Sequence, residues 1–282
     1  MTIPPPNTPL FTIVIPAYNK APSISATILS VKQQIFTDWE VVIIDDGSSD
    51  NTQAIVETFL SDRRIVYHKK DNGGVCSARN LGVTKAQGEY LLFLDADDTA
   101  LPNWLNTFND LLQSGNFDLM YCGVSVNKNG ALSETLPQQV FLKKVGIFLA
   151  GTFCVKKKIF EGIGGYDELI TYGENYELGF RLCCLPLKTA FVSELLISYN
   201  ISGNDRADAY SEKRIASNLR VFEKYKMMYH IDRKFFSLLF AITGYLYARK
   251  KEKKIARYYF RAALRQRPYI YKNWLRLFKT YL

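Results

Sequence analysis

Four short apolar runs, each closed by a polar and mostly acidic turn, constrain this chain more than any other feature. They are Phe11–Pro16 (FTIVIP), Glu40–Asp45 (EVVIID), Arg64–His68 and Tyr90–Leu94 (YLLFL). Helical spacing separates them. Ala21–Ile35 puts Ile24, Ile28, Val31 and Ile35 on one face, Asp50–Leu60 follows with Asp50 as its cap, and Gly74–Lys85 is entered through glycines. Runs that are apolar throughout, rather than alternating, are buried on both faces, so they predict a parallel sheet with helices on both sides. Right-handed crossovers bring the loops after these strands to one edge. Open sheets of this kind bind ligands at that carboxyl edge.

Four loops therefore converge: Pro16-Ala17-Tyr18-Asn19, Asp45-Asp46-Gly47-Ser48-Ser49-Asp50, Asp71-Asn72-Gly73-Gly74 and Asp95-Ala96-Asp97-Asp98. The last carries the strongest signal. Three carboxylates in four residues repel one another unless a cation neutralises them. Hard oxygen donors suit Mg²⁺ or Mn²⁺, and Mg²⁺ is commonly held by one or two carboxylates plus phosphate oxygens. A solvated turn with capping aspartates is the plain alternative; the position after a buried strand, beside three other polar loops, favours the metal. Asp45-Asp46 is either turn chemistry or an acceptor for a base N–H or a ribose hydroxyl. Gly73-Gly74, ahead of a helix, can bring backbone amides to an anion.

Other chemistries are excluded by what is missing. There is no GxGxxG, no GxxxxGK[ST] and no Gly-x-Ser-x-Gly, which removes a dinucleotide fold, a P-loop and a nucleophile elbow. Cys76, Cys122, Cys154, Cys183 and Cys184 are odd in number and without a CxxC, and His68 and His230 are not at ligand spacing. Buried thiols in a reducing compartment fit better than disulfides or zinc. The proline-rich start lacks a basic segment followed by an apolar one, so no signal peptide is expected. The longest apolar-rich run, Phe235–Ala248, is shorter than the ~20 residues a spanning helix needs. A cytoplasmic protein is expected, with contact to the inner membrane face left open.

Beyond Leu101 the pattern is less regular. Pro102–Gln113 reads as a helix with proline in its first turn, Asp118–Val126 as a strand, and Phe148–Lys156 as another strand leading into Gly162–Glu168. Glu174–Leu185 reads as a helix and Thr189–Tyr199 as a strand. From Ser211 onward the chain reads as helical throughout. Within it, Tyr245–Tyr271 spaces Ala248, Ala256, Phe260 and Ala263 like a helix pair with small residues at the contact, as in a tetratricopeptide hairpin.

TIVIPAYN, EVVIIDDGSSDNT, DNGGVCSARNLGVTKAQGEYLLFLDADD, GGYDE and GENYELGFRL, in this order over about residues 11–200, resemble the family 2 glycosyltransferases of GT-A fold. The resemblance implies an α/β domain over 11–205, its mostly parallel nucleotide-binding sheet covered on both faces, after an N-terminal tail (1–10) and before an all-helical extension (206–282). It implies inverting transfer from a nucleotide-diphosphate sugar, a UDP-sugar, to a hydroxyl of a glycan or lipid-linked acceptor, as in cell-surface polysaccharide or lipopolysaccharide assembly. By the same resemblance, Pro16, Ala17, Tyr18, Asn19 and Asp46 face base and ribose, and Arg79 lies near the base or diphosphate. Asp95-Ala96-Asp97 is the DxD stretch: Asp95 contacts the ribose side, and Asp97, assisted by Asp98, holds Mg²⁺ or Mn²⁺. Gly164, Gly165 and Tyr166, with Asn175, shape the acceptor and sugar side.

Two positions depart from the family pattern. The family's base is commonly the aspartate of a Glu-Asp pair opening a helix, and this chain has Glu174-Asn175. An amide takes up no proton at neutral pH. Either Glu174 has that role, or the chain is a slow or inactive member that only binds nucleotide-sugar; we favour Glu174 as base. Its plain role is a first-turn charge, and Glu177 with Arg181 is an (i, i+4) pair. Many relatives have a histidine after the strand that ends here at Tyr199, but Tyr199-Asn200-Ile201-Ser202-Gly203-Asn204 has none.

Charge is unevenly spread. Residues 211–282 hold 19 Lys/Arg against Glu212, Glu223, Asp232 and Glu252, a net +15, while the chain as a whole is +9. Basic helices rich in Tyr, Trp and Phe suit an anionic membrane surface; an ordinary helical cap is the equal alternative. No motif for nucleic acid accompanies the charge, and none is expected as a partner.

Overall fold

The computed structural model describes residues 8–128, 130–201 and 207–281. The proline-rich start and Ser202-Gly203-Asn204 lie outside the described residues. The chain divides into two compact units, one holding residues up to 168 with 174–203, the other 169–173 with 204 onward.

The first unit opens as β1 (Phe11–Ala17), α1 (Ile24–Lys32), β2 (Trp39–Asp45), α2 (Thr52–Glu57), β3 (Ile65–Lys69), α3 (Val75–Lys85) and β4 (Tyr90–Phe93). β1, β2 and β4 are buried at every position, as continuous apolar strands require. β3 closes one edge of the sheet and is mostly half-exposed. The four strands are parallel, and Ala17, Asp45 and Lys69 stand level in the register. The loops after β1, β2 and β3 therefore leave the sheet at one height. α3 is drawn close to β1 because Gly82 faces Val14 and Ile44, where a Cβ would overlap Val14. That approach sets Arg79, one turn earlier, near the carboxyl edge.

β5 (Thr99–Ala100), α4 (Trp104–Ser114), β6 (Leu119–Lys128), β7 (Ala131–Thr135), β8 (Gln138–Gln139), β9 (Val145–Gly146), β10 (Phe153–Lys156), α5 (Lys157–Gly162), α6 (Glu174–Cys184) and β11 (Thr189–Ile201) complete the unit. The main sheet runs β3-β2-β1-β4-β10-β6-β11-β5. β10 is antiparallel to both neighbours, while β11 is parallel to β6. The strand expected over Phe148–Lys156 is therefore cut to its last four residues. Gly151 has φ +78°, and the Thr152 hydroxyl turns back on Leu149, accepting from its amide at 3.1 Å and donating to its carbonyl at 2.8 Å. That local turn outcompetes extension.

The second unit holds α7 (Ala207–Lys224), a 3₁₀ turn at Lys226–Met228, α8 (Arg233–Arg249), α9 (Lys253–Gln266) and α10 (Tyr271–Lys279). Asp232 caps α8 by accepting from Phe235 N at 2.9 Å. The expected helix pair is formed by α8 and α9. Ala256, Phe260, Leu264 and Leu277 make one buried cluster, and Gly244 lets Phe260 approach α8. Among the described residues no helix is long and apolar enough to cross a membrane.

Candidate active site

The loops after β1 and β2 are joined first. Asn19, at φ +52°, donates its amide to Ser48 Oγ at 2.9 Å and accepts from Ser49 N at 2.9 Å. The Lys20 amide donates to Thr52 Oγ1 at 2.8 Å. The N-cap of α2 is Asn51 rather than the expected Asp50, which lies one residue earlier and accepts from Thr52 N at 2.9 Å. Pro16 and Ala17 are buried beneath this junction, and Tyr18 is exposed.

Asp46 is enclosed by the third loop. Its Oδ1 accepts from Lys70 Nζ at 2.7 Å and Gly73 N at 2.9 Å, and its Oδ2 from Gly74 N at 2.7 Å. The anion that the Gly73-Gly74 amides meet is therefore this side chain, which fixes the loop entering α3. Oδ1 thus accepts two hydrogen bonds and Oδ2 one, which leaves Oδ2 one further acceptor position.

The β4 loop brings the remaining acids together. Arg79, with 1% of its side chain exposed, donates from Nη2 to Asp95 Oδ1 at 2.7 Å and from Nη1 to Glu174 Oε1 at 2.9 Å. Its guanidinium lies 5.2 Å from the Tyr166 ring centre, and its buried Nε has no partner. Burial opposes the charge of Arg79, but Asp95 and Glu174 outweigh it and hold the group well above its ordinary value. Among the described residues nothing donates to Glu174 Oε2.

Asp97 is partly exposed and paired with Lys20 Nζ. Asp98 is fully buried. Its Oδ1 accepts from Asn200 N at 3.1 Å, and its Oδ2 has no partner. Burial, then the charge of Asp95, pushes the Asp98 carboxyl up to about 9. Ala96 is buried, its carbonyl accepting from Ser23 Oγ at 2.8 Å. Tyr199 on β11 closes the group: burial first, then Asp95, Asp98, Asp97 and Glu174, pushes its phenol up.

The Gly164-Gly165-Tyr166 turn is held from α3. Both glycines have positive φ, +81° and +65°. Asn80 Oδ1 accepts from Tyr166 N at 2.9 Å, and its Nδ2 donates to Tyr166 O at 3.0 Å. The Tyr166 hydroxyl, kept protonated by burial, donates to Asn175 Oδ1 at 2.7 Å. Glu177 and Arg181 form the expected helical pair in two-pronged form, at 2.9 and 2.8 Å, and Arg181 also holds Ile163 O at 2.7 Å.

Arg79, Asp95, Glu174, Tyr166 and Asn175 are thus joined in one network, with Asp97 and Asp98 beside it on the same loop. Lys20, Asn80 and Tyr199 were not anticipated. Lys20 and Asn80 directly follow the motif residues Asn19 and Arg79, which is the signal that could have found them.

Among the described residues no group of three or more His, Cys, Asp or Glu is placed to hold a metal ion by itself. Asp97 offers a partly open carboxylate whose partner is a flexible lysine, and Asp98 keeps a buried oxygen with no hydrogen bond. One or two carboxylates suffice when phosphate supplies further oxygens.

The profile of Glycosyl transferase family 2 matches residues 12–166, more than half the chain. An uncharacterized glycosyltransferase of Rickettsia typhi is 33% identical over 187 residues, covering 61% of this chain and 58% of the relative. The UDP-Glc:alpha-D-GlcNAc-diphosphoundecaprenol beta-1,3-glucosyltransferase WfgD of Escherichia coli is 32% identical over 138 residues, covering 48% of this chain and 54% of the relative. The chain therefore spans little more than half the length of these relatives. In structure, S. aureus TarS 1-349 in complex with UDP-GlcNAc superposes with a TM-score of 0.65 at 18% identity, covering 96% of this chain and 89% of that one. At that identity the likeness speaks for the fold alone, the GT-A arrangement of sheet and helices with a helical extension. By its motifs, its fold and its profile match, the chain belongs to glycosyltransferase family 2.

Proposed function

We propose that this chain transfers a hexose, with inversion, from a UDP-sugar to a hydroxyl of a glycan or lipid-linked acceptor, in cell-surface polysaccharide or lipopolysaccharide assembly on the cytoplasmic side. The observation that carries this reading is the Asp95–Arg79–Glu174 bridge beside Asp97, at the carboxyl edge of a parallel sheet. UDP-GlcNAc in the structural relative and the diphosphoundecaprenol acceptor in the name of the Escherichia coli relative support the donor and acceptor classes.

In the reaction, the acceptor oxygen bonds to the anomeric carbon while the bond from that carbon to the diphosphate oxygen breaks, and UDP leaves with the electron pair. The acceptor proton passes to Glu174 Oε2, the carboxylate oxygen not engaged by Arg79. General-base assistance of this kind contributes about 10²- to 10⁴-fold. Arg79 keeps Asp95 and Glu174 at fixed positions, which is preorganisation rather than chemistry. Asp97, with Asp98 adjacent, would hold Mg²⁺ or Mn²⁺. When bound, that ion offsets the charge gained by the departing diphosphate. Tyr166, anchored by Asn80 and Asn175, walls the sugar side.

Release of UDP from a panel of UDP-sugars with Mn²⁺ or Mg²⁺, lost in Glu174→Gln, tests the reading. Asn175 supports a second reading, a nucleotide-sugar-binding protein without turnover. Metal-dependent donor binding with no UDP release, across donors and acceptors, would select it.

A further inference from the structure

α10 carries three stripes of different chemistry. Asn273, Leu277 and Thr280 are buried. Lys272, Arg276 and Lys279 form a basic row. Tyr271, Trp274, Leu275 and Phe278, spaced i, i+3, i+4 and i+7, form an apolar row that is 66%, 54%, 55% and 62% exposed. An amphipathic helix ordinarily buries its large apolar face. Here the largest side chains point to solvent, and the helix is held down by smaller ones.

The surroundings are cationic. From Lys253 to Tyr281 the chain has nine Lys/Arg and no Asp or Glu, and among the described residues none of the nine is in an ion pair. The basic row lies on one side of the apolar row. On the other, α9 and α10 enclose a groove of about 380 Å³ lined by Leu264, Trp274 and Leu277 together with Arg261 and Arg265. An apolar floor with two guanidiniums suits an acyl chain beneath a phosphate headgroup.

We propose that the α9–α10 surface docks on an anionic phospholipid bilayer, with Tyr271, Trp274, Leu275 and Phe278 entering the interface and Arg261, Arg265, Lys272, Arg276 and Lys279 meeting lipid phosphates. The charge decides for this occupant. A second copy would oppose nine cations to nine cations, whereas an anionic leaflet attracts each of them. Trp and Tyr are the side chains that settle at a headgroup boundary. The proposal stands independently of the transferase reading, because it concerns binding to a surface and not turnover.

The chain carries its own probe. Of its three tryptophans, Trp39 and Trp104 are 2% and 0% exposed and Trp274 is 54% exposed, so a change in emission on docking reports Trp274. The full chain is mixed with vesicles of equimolar phosphatidylglycerol and phosphatidylcholine, and with phosphatidylcholine alone. We expect co-sedimentation and a blue shift of Trp274 emission with the anionic vesicles only. Raising salt from about 0.1 M to about 1 M, which shortens the screening length from about 10 Å to about 3 Å, should weaken binding at least about tenfold. Leu275→Ser with Phe278→Ser should abolish the blue shift, and Lys272→Glu with Lys279→Glu should weaken sedimentation at least about tenfold. These are exposed positions, and unchanged circular dichroism and Tm would show that the fold is retained. Equal binding to neutral vesicles, absence of binding at low salt, or a self-associated dimer that covers Trp274 in sedimentation equilibrium would each overturn the proposal.

Discussion

Arg79 and Glu174, separated by 95 residues of sequence, are joined Nη1 to Oε1 at 2.9 Å, while the other terminal nitrogen of Arg79 holds Asp95 at 2.7 Å. A guanidinium can serve two carboxylates at once because its donors form a rigid fork, which an ammonium lacks. Removing it leaves two poorly solvated carboxylates facing each other. Arg79→Met is expected to cost about 3 kcal/mol, the low end for breaking a buried pair, because Asp95 keeps some solvent. Chemical denaturation should show it as a lower midpoint, with Arg79→Lys recovering only part.

Glu174→Gln keeps a carbonyl oxygen for Arg79 and removes the proton acceptor. UDP-sugar turnover should fall about 10²- to 10⁴-fold. Donor affinity should stay unchanged, because the amide leaves the Asp95 and Asp97 side of the site alone. Single-turnover kinetics beside calorimetric donor binding separates the two quantities. A parallel fall in affinity would move Glu174 from proton transfer to donor binding.

The first half of the sheet was legible because a strand buried on both faces must be apolar throughout, and β1, β2 and β4 are. The turn before β10 was not legible. Phe148 looks like strand sequence but packs among Phe141, Tyr121 and Phe153 from a turn, and the deciding residues are Gly151 and the hydroxyl of Thr152. The acids of the β4 loop could be read from their spacing, whereas Arg79 was marked only by the family resemblance and the pairing of Lys20 and Arg79 with particular acids was not legible. Lys20 and Arg79 find Asp97, Asp95 and Glu174 through the tertiary fold, and a buried arginine on a helix leaves no periodic trace. Asp46 reads as a ligand contact because it follows a buried strand, and its anchoring by the backbone amides of the next loop is a tertiary contact that sequence spacing does not show.

The Tyr166 hydroxyl and Asn175 Oδ1, 2.7 Å apart, are both buried. Asn175→Ala strands the buried Tyr166 hydroxyl and Tyr166→Phe strands the buried Asn175 Oδ1, so each should cost about 1–3 kcal/mol. In the double variant the losses should be less than additive, by at least about 0.5 kcal/mol. Strict additivity would mean that the bond contributes nothing to stability.

Thiol labelling should divide the cysteines sharply. Cys76, Cys122, Cys154 and Cys183 are buried and Cys184 is exposed. Burial, then the charge of Glu174, pushes the Cys76 thiol up to about 12, and burial drives Cys122 and Cys154 up as well. Only a thiolate attacks a disulfide reagent. In the native chain at neutral pH, Ellman's reagent should therefore label Cys184 quickly and Cys76 negligibly, with all five reacting in denaturant. Raising the pH to 9 should leave Cys76 silent, since its thiolate fraction is still small. Rapid native labelling of Cys76 would mean that the α3 end opens to solvent.

Asp97 and Lys20 give opposite expectations for the cation. Asp97→Asn removes the carboxylate that would hold it, so Mn²⁺ should no longer strengthen UDP binding in calorimetry. Lys20→Met removes the ammonium now paired with that carboxylate. An incoming ion then displaces nothing, and Mn²⁺ should bind more tightly than in the unaltered chain, both with and without UDP. An amide at position 97 keeps the size of the side chain while abolishing its charge, so a loss there reads charge and not shape. If Asp97→Asn kept the full metal-dependent gain while Lys20→Met lowered it, the cation would lie elsewhere, and Lys20 would be a diphosphate contact in place of a counter-ion to Asp97.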